Sequence, residues 1–259
     1  MDFFIAILLG IIQGVAEWLP ISSEAMVTLA GKFIAGMEYQ EALSTAIWLH
    51  LGTSISAIIY FRKDILSIIK SGYEKGAEKS LLIFLIITTI GSVLIAFPLL
   101  FFAFSIALSE SVITIIIGIF LICIAFLQKK RISGTESSLT PTKAFIAGIV
   151  QGLSALPGLS RSGLTLTVLL TQKFPLKQAF KLSFLMSIPV TLGAQIALPI
   201  VKDGFEISFE LIISTAVAAI VGLLTIKLLM ELAEQINFFK ATLTLGILVL
   251  ILGTLTLML

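Results

Sequence analysis

Charged residues are scarce in this chain. Of its 259 residues, 12% are Asp, Glu, Lys or Arg and 58% are hydrophobic, with a mean hydropathy of +1.13. A soluble domain usually carries about twice that share of charge. The composition therefore excludes a soluble enzyme and a disordered chain, and it indicates a multi-pass protein of the cell membrane. The net charge of +2 is too small to favour nucleic acid as a partner.

Cysteine and histidine are almost missing. The single cysteine, Cys123, excludes a disulfide framework and a cysteine-based metal cluster, and we interpret it as a packing residue. The single histidine, His50, is either a hydrogen-bonded helix-packing residue or a site residue that moves a proton or holds water. We expect no cleaved signal peptide, because Asp2 replaces the usual basic start, and Gln13 and Glu17 interrupt the first apolar stretch.

Six stretches are long and apolar enough to cross roughly 30 Å of hydrocarbon as helices. They are predicted at residues 42–61, 81–101, 111–128, 179–199, 210–229 and 239–258. The regions 2–35 and 144–172 are also apolar, but Pro, Gly, Ser and charged residues interrupt them. Because broken backbone at membrane depth must be satisfied by protein or water, we predict a re-entrant helical hairpin in each. The sequence thus predicts an all-α, polytopic membrane protein with one domain over residues 1–259.

The connections between the predicted spans differ in their Lys and Arg content. Residues 62–80, 129–143 and 173–181 hold five, four and three, whereas 36–41 and 102–110 hold none and 200–209 hold only Lys202. Cationic connections stay in the cytoplasm, so we predict the first three inside and both termini outside. Region 144–172 then enters from the cytoplasmic side and region 2–35 from the opposite side. The connection 230–238 fits this pattern less well, because it carries Glu231 and Glu234.

Two stretches recur in the same order. G-I-I-Q-G-V-A-E-W-L-P at residue 10 is similar to G-I-V-Q-G-L-S-A-L-P at residue 148, and the stretch from Ala42 is similar to that from Ala179. Because the charge bias puts the copies on opposite sides, we predict an inverted-topology repeat with halves of about 1–128 and 129–259. Chance similarity between apolar stretches is the alternative. Each copy has a G-x-x-x-G stripe, which allows close packing of helices. The stripes could serve packing within one chain or between chains of a homo-oligomer, and the sequence leaves both alternatives open.

Glu17 and Arg161 are charged residues inside the two interrupted regions. An ionised side chain at membrane depth is costly, and it is usually retained for a function. The alternative for Glu17 is a position near a helix end, from which the carboxylate reaches the headgroups. The location of Glu17 and Arg161 in matching repeat copies favours a function for both.

Turns rich in hydroxyl groups accompany these charges. After Pro20, Ser22 or Ser23 can cap the next helix and leave its backbone N–H groups for an anion. In the second copy, the planar fork of Arg161 suits phosphate oxygens. Its neighbours are small or carry hydroxyls: Gly158, Ser160, Ser162, Gly163 and Thr165. We predict a polyanion site; the alternative is two capped turns joined by a structural Arg–Glu pair.

These motifs resemble the undecaprenyl-diphosphatase (bacitracin-resistance) family of integral membrane phosphatases. The resemblance extends over nearly the whole chain and rests on Q-G-V-A-E-W-L-P-I-S-S (13–23), L-H-L-G-T (49–53), Y-F-R-K-D (60–64), P-G-L-S-R-S-G-L-T (157–165) and S-F-L-M-S-I-P (183–189). It implies six spans and two re-entrant hairpins. It also implies hydrolysis of a polyprenyl diphosphate to the monophosphate and inorganic phosphate, with a divalent cation (Mg or Ca), to recycle the carrier lipid for envelope glycan synthesis.

The resemblance also implies residue roles. Glu17 matches the second glutamate of the family's first motif and is expected to hold the cation. Ser22 and Ser23 match its serine pair, with Ser23 as nucleophile or water-positioning residue. Arg161, in the second motif, is expected to hold the diphosphate. Further substrate contacts are expected from Gln13, Ser160, Ser162, Gly163, Thr165 and, if it belongs to the site, His50.

The chain departs from the bacterial pattern at two positions. Gln13 stands in place of the first glutamate, and Met26 in place of a histidine thought important for catalysis. Because Met cannot move a proton, we expect Glu24 to supply the missing base or a metal oxygen, with His50 as the alternative. The S-S-E sequence is also a reason to consider a carrier lipid that is not bacterial, such as an archaeal one.

Two other classes of function are weighed against hydrolysis. An inverted repeat with charges at mid-membrane also suits a polyprenyl-phosphate transporter or flippase without hydrolysis, and loss of the histidine favours that alternative. A purely structural membrane subunit would give Glu17 and Arg161 no task. Phosphate release from a polyprenyl diphosphate separates the enzyme from the transporter.

Overall fold

The computed structural model describes residues 2–70, 77–105, 109–129, 134, 138–202, 204–232 and 237–258. In chain order the helices are α1 (Phe3–Ala16), α2 (Ser23–Phe33), α3 (Tyr39–Tyr60), α4 (Arg62–Lys70), α5 (Ala77–Ser105), α6 (Glu110–Lys129), α7 (Pro141–Gly152), α8 (Arg161–Thr171), α9 (Leu176–Val201), α10 (Phe209–Leu232) and α11 (Phe238–Met258). A single 3₁₀ turn (Leu153–Ala155) follows α7. Every regular element within these residues is helical, as predicted.

Six of these helices are long and apolar enough to cross a membrane: α3, α5, α6, α9, α10 and α11. Each corresponds to one predicted span, and the bounds differ by a few residues at most of the ends. The predicted all-α, six-span architecture is therefore confirmed. Hydrocarbon is the natural surrounding for their exposed Ile, Leu and Phe side chains.

Five of the described helices are too short to cross; α4 is one of them, and the other four form two pairs. The first short-helix pair is α1 with α2, and the second is α7 with α8. The longest of the four, α1, has 14 residues and is about 21 Å long at 1.5 Å per residue. Both interruptions require unusual backbone, since Ser22 has a φ of 63° and Gly158 a φ of 93°. Such left-handed conformations end one helix and redirect the chain.

The glycine stripe of α1 packs on α10. A Cβ atom at Gly10 would lie 2.5 Å from the carbonyl oxygen of Ser214, and one at Gly14 would lie 2.7 Å from Cβ of Val221. Only glycine allows the two helices to approach this closely. The stripe is therefore used within the chain.

The glycine stripe of α7 packs on α5 in the same manner. A Cβ atom at Gly148 would lie 2.5 Å from the carbonyl oxygen of Thr88, and one at Gly152 would lie 2.6 Å from Cβ of Ile95. The spacing from Thr88 to Ile95 along α5 equals that from Ser214 to Val221 along α10. Each short-helix pair thus docks on a long helix of the other half of the chain.

The helix ends fall into the two groups that the charge count predicts. At one end, Lys32 Nζ lies 2.7 Å from Glu110 Oε1, and Lys202 Nζ donates to Ser44 Oγ at 2.8 Å. At the other end, Lys181 Nζ lies 2.5 Å from Asp64 Oδ1. Connection 230–238 joins this second group, because Phe238 stacks on Phe180 next to Lys181 with 5.8 Å between ring centroids.

Two interpretations made from the sequence are wrong. The connection 62–80 was expected to be a loop, but its first nine residues form α4, whose Ile65 and Ile68 pack on the core. Helical spacing of these two side chains gives α4 an apolar face. Cys123 was expected to be a packing residue, yet it is exposed on α6.

Candidate active site

The tips of the two short-helix pairs meet inside the protein. Glu17 caps the C-terminus of α1, and Arg161 is the first residue of α8. Nη2 of Arg161 donates to Oε1 of Glu17, and the two side chains are 11% and 2% exposed. The structure thus brings the guanidinium of one interrupted region onto the carboxylate of the other.

The second oxygen of Glu17 is surrounded by donors. Oε2 accepts hydrogen bonds from Ser23 Oγ at 2.7 Å and from Gln13 Nε2 at 2.8 Å. Nε2 of His50 lies 3.4 Å from the same atom. Because charge and hydrogen bonds offset the cost of burial, the carboxylate can be held at this depth.

His50 has a defined orientation. Its Nδ1 lies 2.8 Å from the carbonyl oxygen of Ala46. A carbonyl only accepts, so Nδ1 carries hydrogen and Nε2 is left to face Glu17. His50 thus lies beside Glu17 with Nε2 facing the carboxylate, and a role in proton transfer stays a prediction.

Hydrogen bonds lock the two tips to each other and to α10. Ser162 Oγ donates to the carbonyl oxygen of Leu19 at 2.8 Å, which joins the second tip to the first. Nε1 of the buried Trp18 donates to the carbonyl oxygen of Gly222 on α10 at 2.9 Å. Such fixed neighbours hold Glu17 and Arg161 in place, as a preorganised site requires.

Serines cap both helices that begin at the site. Ser22 Oγ accepts from the backbone N–H of Ala25 at 3.4 Å and caps α2. Ser160 Oγ accepts from that of Gly163 at 3.1 Å and caps α8. Both helix N-termini point their remaining N–H groups and positive dipole ends towards the site, which favours a negatively charged ligand.

A cavity of about 390 Å³ lies in front of the ion pair. Eight of the predicted site residues line it: Glu17, Ser22, Ser23, Glu24, His50, Ser160, Arg161 and Ser162. The other wall is apolar and comes from α5 and α9. The cavity therefore presents a charged end and a hydrophobic side to one ligand.

Three predicted site residues lie behind the cavity wall. Gln13 holds Glu17, the backbone N–H of Gly163 is bound by the Ser160 hydroxyl, and Thr165 Oγ1 lies 2.5 Å from Ser183 Oγ. In this arrangement they support the lining residues. Direct contact between these three and a substrate stays a prediction.

The sequence analysis missed three polar lining residues, Gln151, Ser154 and Thr191. Nε2 of Gln151 donates to Ser92 Oγ at 3.0 Å and to the carbonyl oxygen of Met186 at 3.3 Å. Ser154 Oγ donates to the carbonyl oxygen of Gln151 at 2.7 Å. The match between Gln13 and Gln151 in the repeat was the signal that could have identified the first of them.

Three buried polar atoms at the site have no hydrogen-bond partner within the described residues. They are Nη1 of Arg161, a donor, and the Oε1 atoms of Gln13 and Gln151, which are acceptors. An unpaired buried donor is costly, and a ligand oxygen would satisfy it. With Nη2 bound to Glu17, the guanidinium retains donor capacity for a phosphate oxygen.

The carboxylates of the cavity decide whether a divalent cation fits this site. Among the described residues, no group of three or more His, Cys, Asp and Glu side chains could hold a metal by itself. Two carboxylates, Glu17 and Glu24, line the cavity. Mg²⁺ is typically bound by one or two carboxylates together with substrate phosphates and water. The residues thus fit a cation that arrives with a phosphorylated ligand.

Fold and site together define a polytopic membrane protein with a buried, charged cavity at the meeting point of two helix pairs. The chain belongs to the family described as bacitracin resistance protein BacA, which it matches over residues 6–255. It is 38% identical to the undecaprenyl-diphosphatase of Methanococcoides burtonii over 94% of this chain and 95% of that protein. Undecaprenyl-diphosphatases of Saccharolobus solfataricus and Sulfurisphaera tokodaii are each 33% identical; the first alignment covers 97% of this chain and 96% of the relative, the second all of both.

Proposed function

We propose that the protein hydrolyses a polyprenyl diphosphate to the monophosphate and inorganic phosphate. The observation that carries this proposal is the group formed by Arg161, Glu17 and Ser23 at the charged end of a cavity whose side is apolar. The name of the relatives supports the same activity. Phosphoryl transfer asks a protein mainly for positioning and charge neutralisation, and this site has residues for both.

Arg161 is proposed to hold the diphosphate. Its Nη1 is buried and finds no partner in the part of the chain that the structure describes, and the capped N-termini of α2 and α8 flank it. Guanidinium and helix dipoles together stabilise the negative charge on the phosphate oxygens. A cation held by Glu17 and Glu24 would add further charge neutralisation when bound.

Ser23 is proposed to act on the terminal phosphorus. Its hydroxyl already donates to Glu17 Oε2, so Glu17 is placed to accept the proton. If Ser23 attacks, an Oγ–P bond forms, the bond to the bridging oxygen breaks, and prenyl monophosphate leaves before water hydrolyses the phosphoserine. If Ser23 orients water instead, the same bridging bond breaks in one step. Acid quenching with a labelled terminal phosphate distinguishes the routes, because only the first leaves label on the protein.

The fine architecture is part of this proposal. We infer that both short-helix pairs are re-entrant and that the halves form an inverted repeat. Helices too short to cross support the first inference. Matching contacts of α1 on α10 and of α7 on α5 support the second. A further support is the hydrogen bond of 2.5 Å between Ser54 and Thr191, which occupy matching positions of the second repeated stretch.

Phosphate release tests the proposal. Purified protein in detergent, given a polyprenyl diphosphate and Mg²⁺, is expected to release inorganic phosphate, and Arg161→Lys is expected to remove that activity because an ammonium cannot replace the fork. Lys181→Ala is the matched control, since its ion pair with Asp64 lies away from the cavity. Binding of the monophosphate without any phosphate release by the parent protein would instead select the transporter.

A further inference from the structure

The helix pairs α3–α10 and α5–α9 occupy matching places in the two halves, but only the first is closed. Between α3 and α10, Ser56 Oγ donates to the carbonyl oxygen of Ala219 at 2.6 Å. A Cβ atom at Gly222 would lie 2.7 Å from the same hydroxyl. The two helices therefore touch along this line.

The position on α9 that matches Ser56 of α3 is Gly193. A Cβ atom placed there has no heavy atom of the described residues within 4 Å, apart from its chain neighbours and the nearby backbone of α9 itself. Val93 and Ala96 of α5 line the cavity opposite α9, together with Gly193 itself. Where α3 and α10 are in contact, α5 and α9 thus leave an opening. We call this opening, lined by Val93, Ala96 and Gly193, the α5–α9 gap.

The α5–α9 gap is apolar and continuous with the charged site. Further along it, Phe97 from α5 and Ala197 and Ile196 from α9 line the same cavity as Arg161. Phe97 is 45% exposed and Ile196 is 74% exposed. Both belong to candidate membrane spans, so the gap opens where hydrocarbon surrounds the protein. A ligand that fills the cavity has its charged end at Arg161 and an apolar end at the bilayer.

We propose that the α5–α9 gap binds the first isoprene units of the substrate's prenyl tail, and that Gly193 keeps the gap open for them. This inference rests on the proposed function. The charged end at Arg161 and the apolar gap belong to one cavity, so the occupant that fits is one amphiphilic molecule with a phosphorylated head and an apolar tail. The tail then continues into the bilayer without crossing the charged site, and apolar contacts near the head group favour prenyl chains over free diphosphates.

The first test blocks the gap. Gly193→Leu adds a side chain where the protein leaves space, so we expect the unfolding temperature to stay unchanged and kcat/KM for a long-chain polyprenyl diphosphate to fall about tenfold or more. Hydrolysis of methyl diphosphate, which carries the head group without any isoprene unit, is expected to change less than twofold. Ala216→Leu is the matched control, because Ala216 is exposed on α10 and does not line the cavity.

The outcomes separate this inference from the proposed function. If the parent protein hydrolyses neither substrate, the proposed function fails. If the parent is active and Gly193→Leu lowers the rates for both substrates equally, or for neither, the tail-binding gap is refuted while the proposed function stands.

A second test needs no hydrolysis. In a Cys123→Ser background, Gly193→Cys places the single thiol in the gap, where a membrane-soluble maleimide can label it. Long-chain polyprenyl diphosphate is expected to slow this labelling about tenfold, and pyrophosphate, which has a head group but no tail, is expected to leave it unchanged. Equal protection by both would overturn the inference, as would protection by neither. This measurement also decides the matter if Gly193→Leu fails to fold.

Discussion

Gln13 and Gln151 stand three residues after matching glycines of the two short-helix pairs, yet their amide groups have different partners. Nε2 of Gln13 donates to Glu17, whereas Nε2 of Gln151 donates to Ser92 and to a carbonyl of α9. The difference comes from the position four residues later, which is Glu17 in the first pair and Ala155 in the second. One packing scheme thus serves two specialised tips. In the first, the glutamine orients Glu17; in the second, which also carries Arg161, the glutamine ties α7 to α5 and α9.

Removing the link between the two tips should have the largest effect. Arg161→Ala leaves Glu17 buried without its ionic partner, so we expect loss of phosphate release and a decrease of about 3–5 kcal/mol in the free energy of unfolding. The double variant Arg161→Ala with Glu17→Gln is expected to regain stability but no activity. Unfolding measurements and a phosphate assay check both. A double variant as unstable as the single one would show that the ion pair does not hold the tips.

Removing the hydroxyl of Ser23 at the first tip should have the next largest effect. Ser23→Ala removes the group that donates to Glu17, and we expect kcat to fall about a hundredfold or more. Ser56→Ala removes a hydroxyl that is equally buried but lies between α3 and α10, so the steady-state rate should change little. Unchanged turnover in Ser23→Ala would remove Ser23 from the mechanism.

The shared packing scheme predicts equal losses in the two pairs. In Gly14→Ala and Gly152→Ala the new methyl group would meet Val221 and Ile95 at 2.7 and 2.6 Å. We expect each to lower the free energy of unfolding by about 1–3 kcal/mol, because overpacking forces the helices apart. Gly193→Ala, with open space at its Cβ, is the control. A loss in only one of the two variants would contradict equivalent docking.

Replacing the two glutamines should have the smallest effects. One replacement should act mainly on kcat and the other mainly on the free energy of unfolding. Gln13→Leu is expected to lower kcat about tenfold, since Glu17 loses one of the donors that orient it. Gln151→Leu should lower the unfolding free energy by about 1–3 kcal/mol, because buried partners are left unsatisfied, while kcat changes less than in Gln13→Leu. Thermal unfolding and phosphate release are measured on both. Equal effects on kcat would mean that the tips are not specialised.

Most of this arrangement could be predicted from the sequence. Apolar run length identifies the six spans, because hydrocarbon thickness sets the length that a helix needs. The cost of burying charge singled out Glu17 and Arg161, and the structure brings the two side chains together. Charge bias grouped the other helix ends correctly, whereas at the connection 230–238 it gave the weakest signal, and there the contact of Phe238 with Phe180 shows the group.

What could not be predicted depends on long-range packing. No local pattern tells that Thr165 faces Ser183 instead of the cavity, since both orientations place a hydroxyl on the same helix. The α5–α9 gap has no sequence signal either, because the side chains that would fill it are simply small. Helix α4 was missed because Lys and Arg dominate the composition of the connection 62–80. The apolar face of α4 becomes visible only when its residues are placed at helical spacing.

The docking of α1 on α10 also constrains how the protein is made. α1 is synthesised before α10, yet its glycine stripe contacts α10, and eight helices lie between the two in the chain. Until α10 has been made, that stripe lacks its packing partner. α1 must therefore wait for its final place while the helices between them insert, and the tip that carries Glu17 is fixed only when Trp18 can donate to Gly222 of α10. Truncated chains that end before α10 should accordingly lack a formed site.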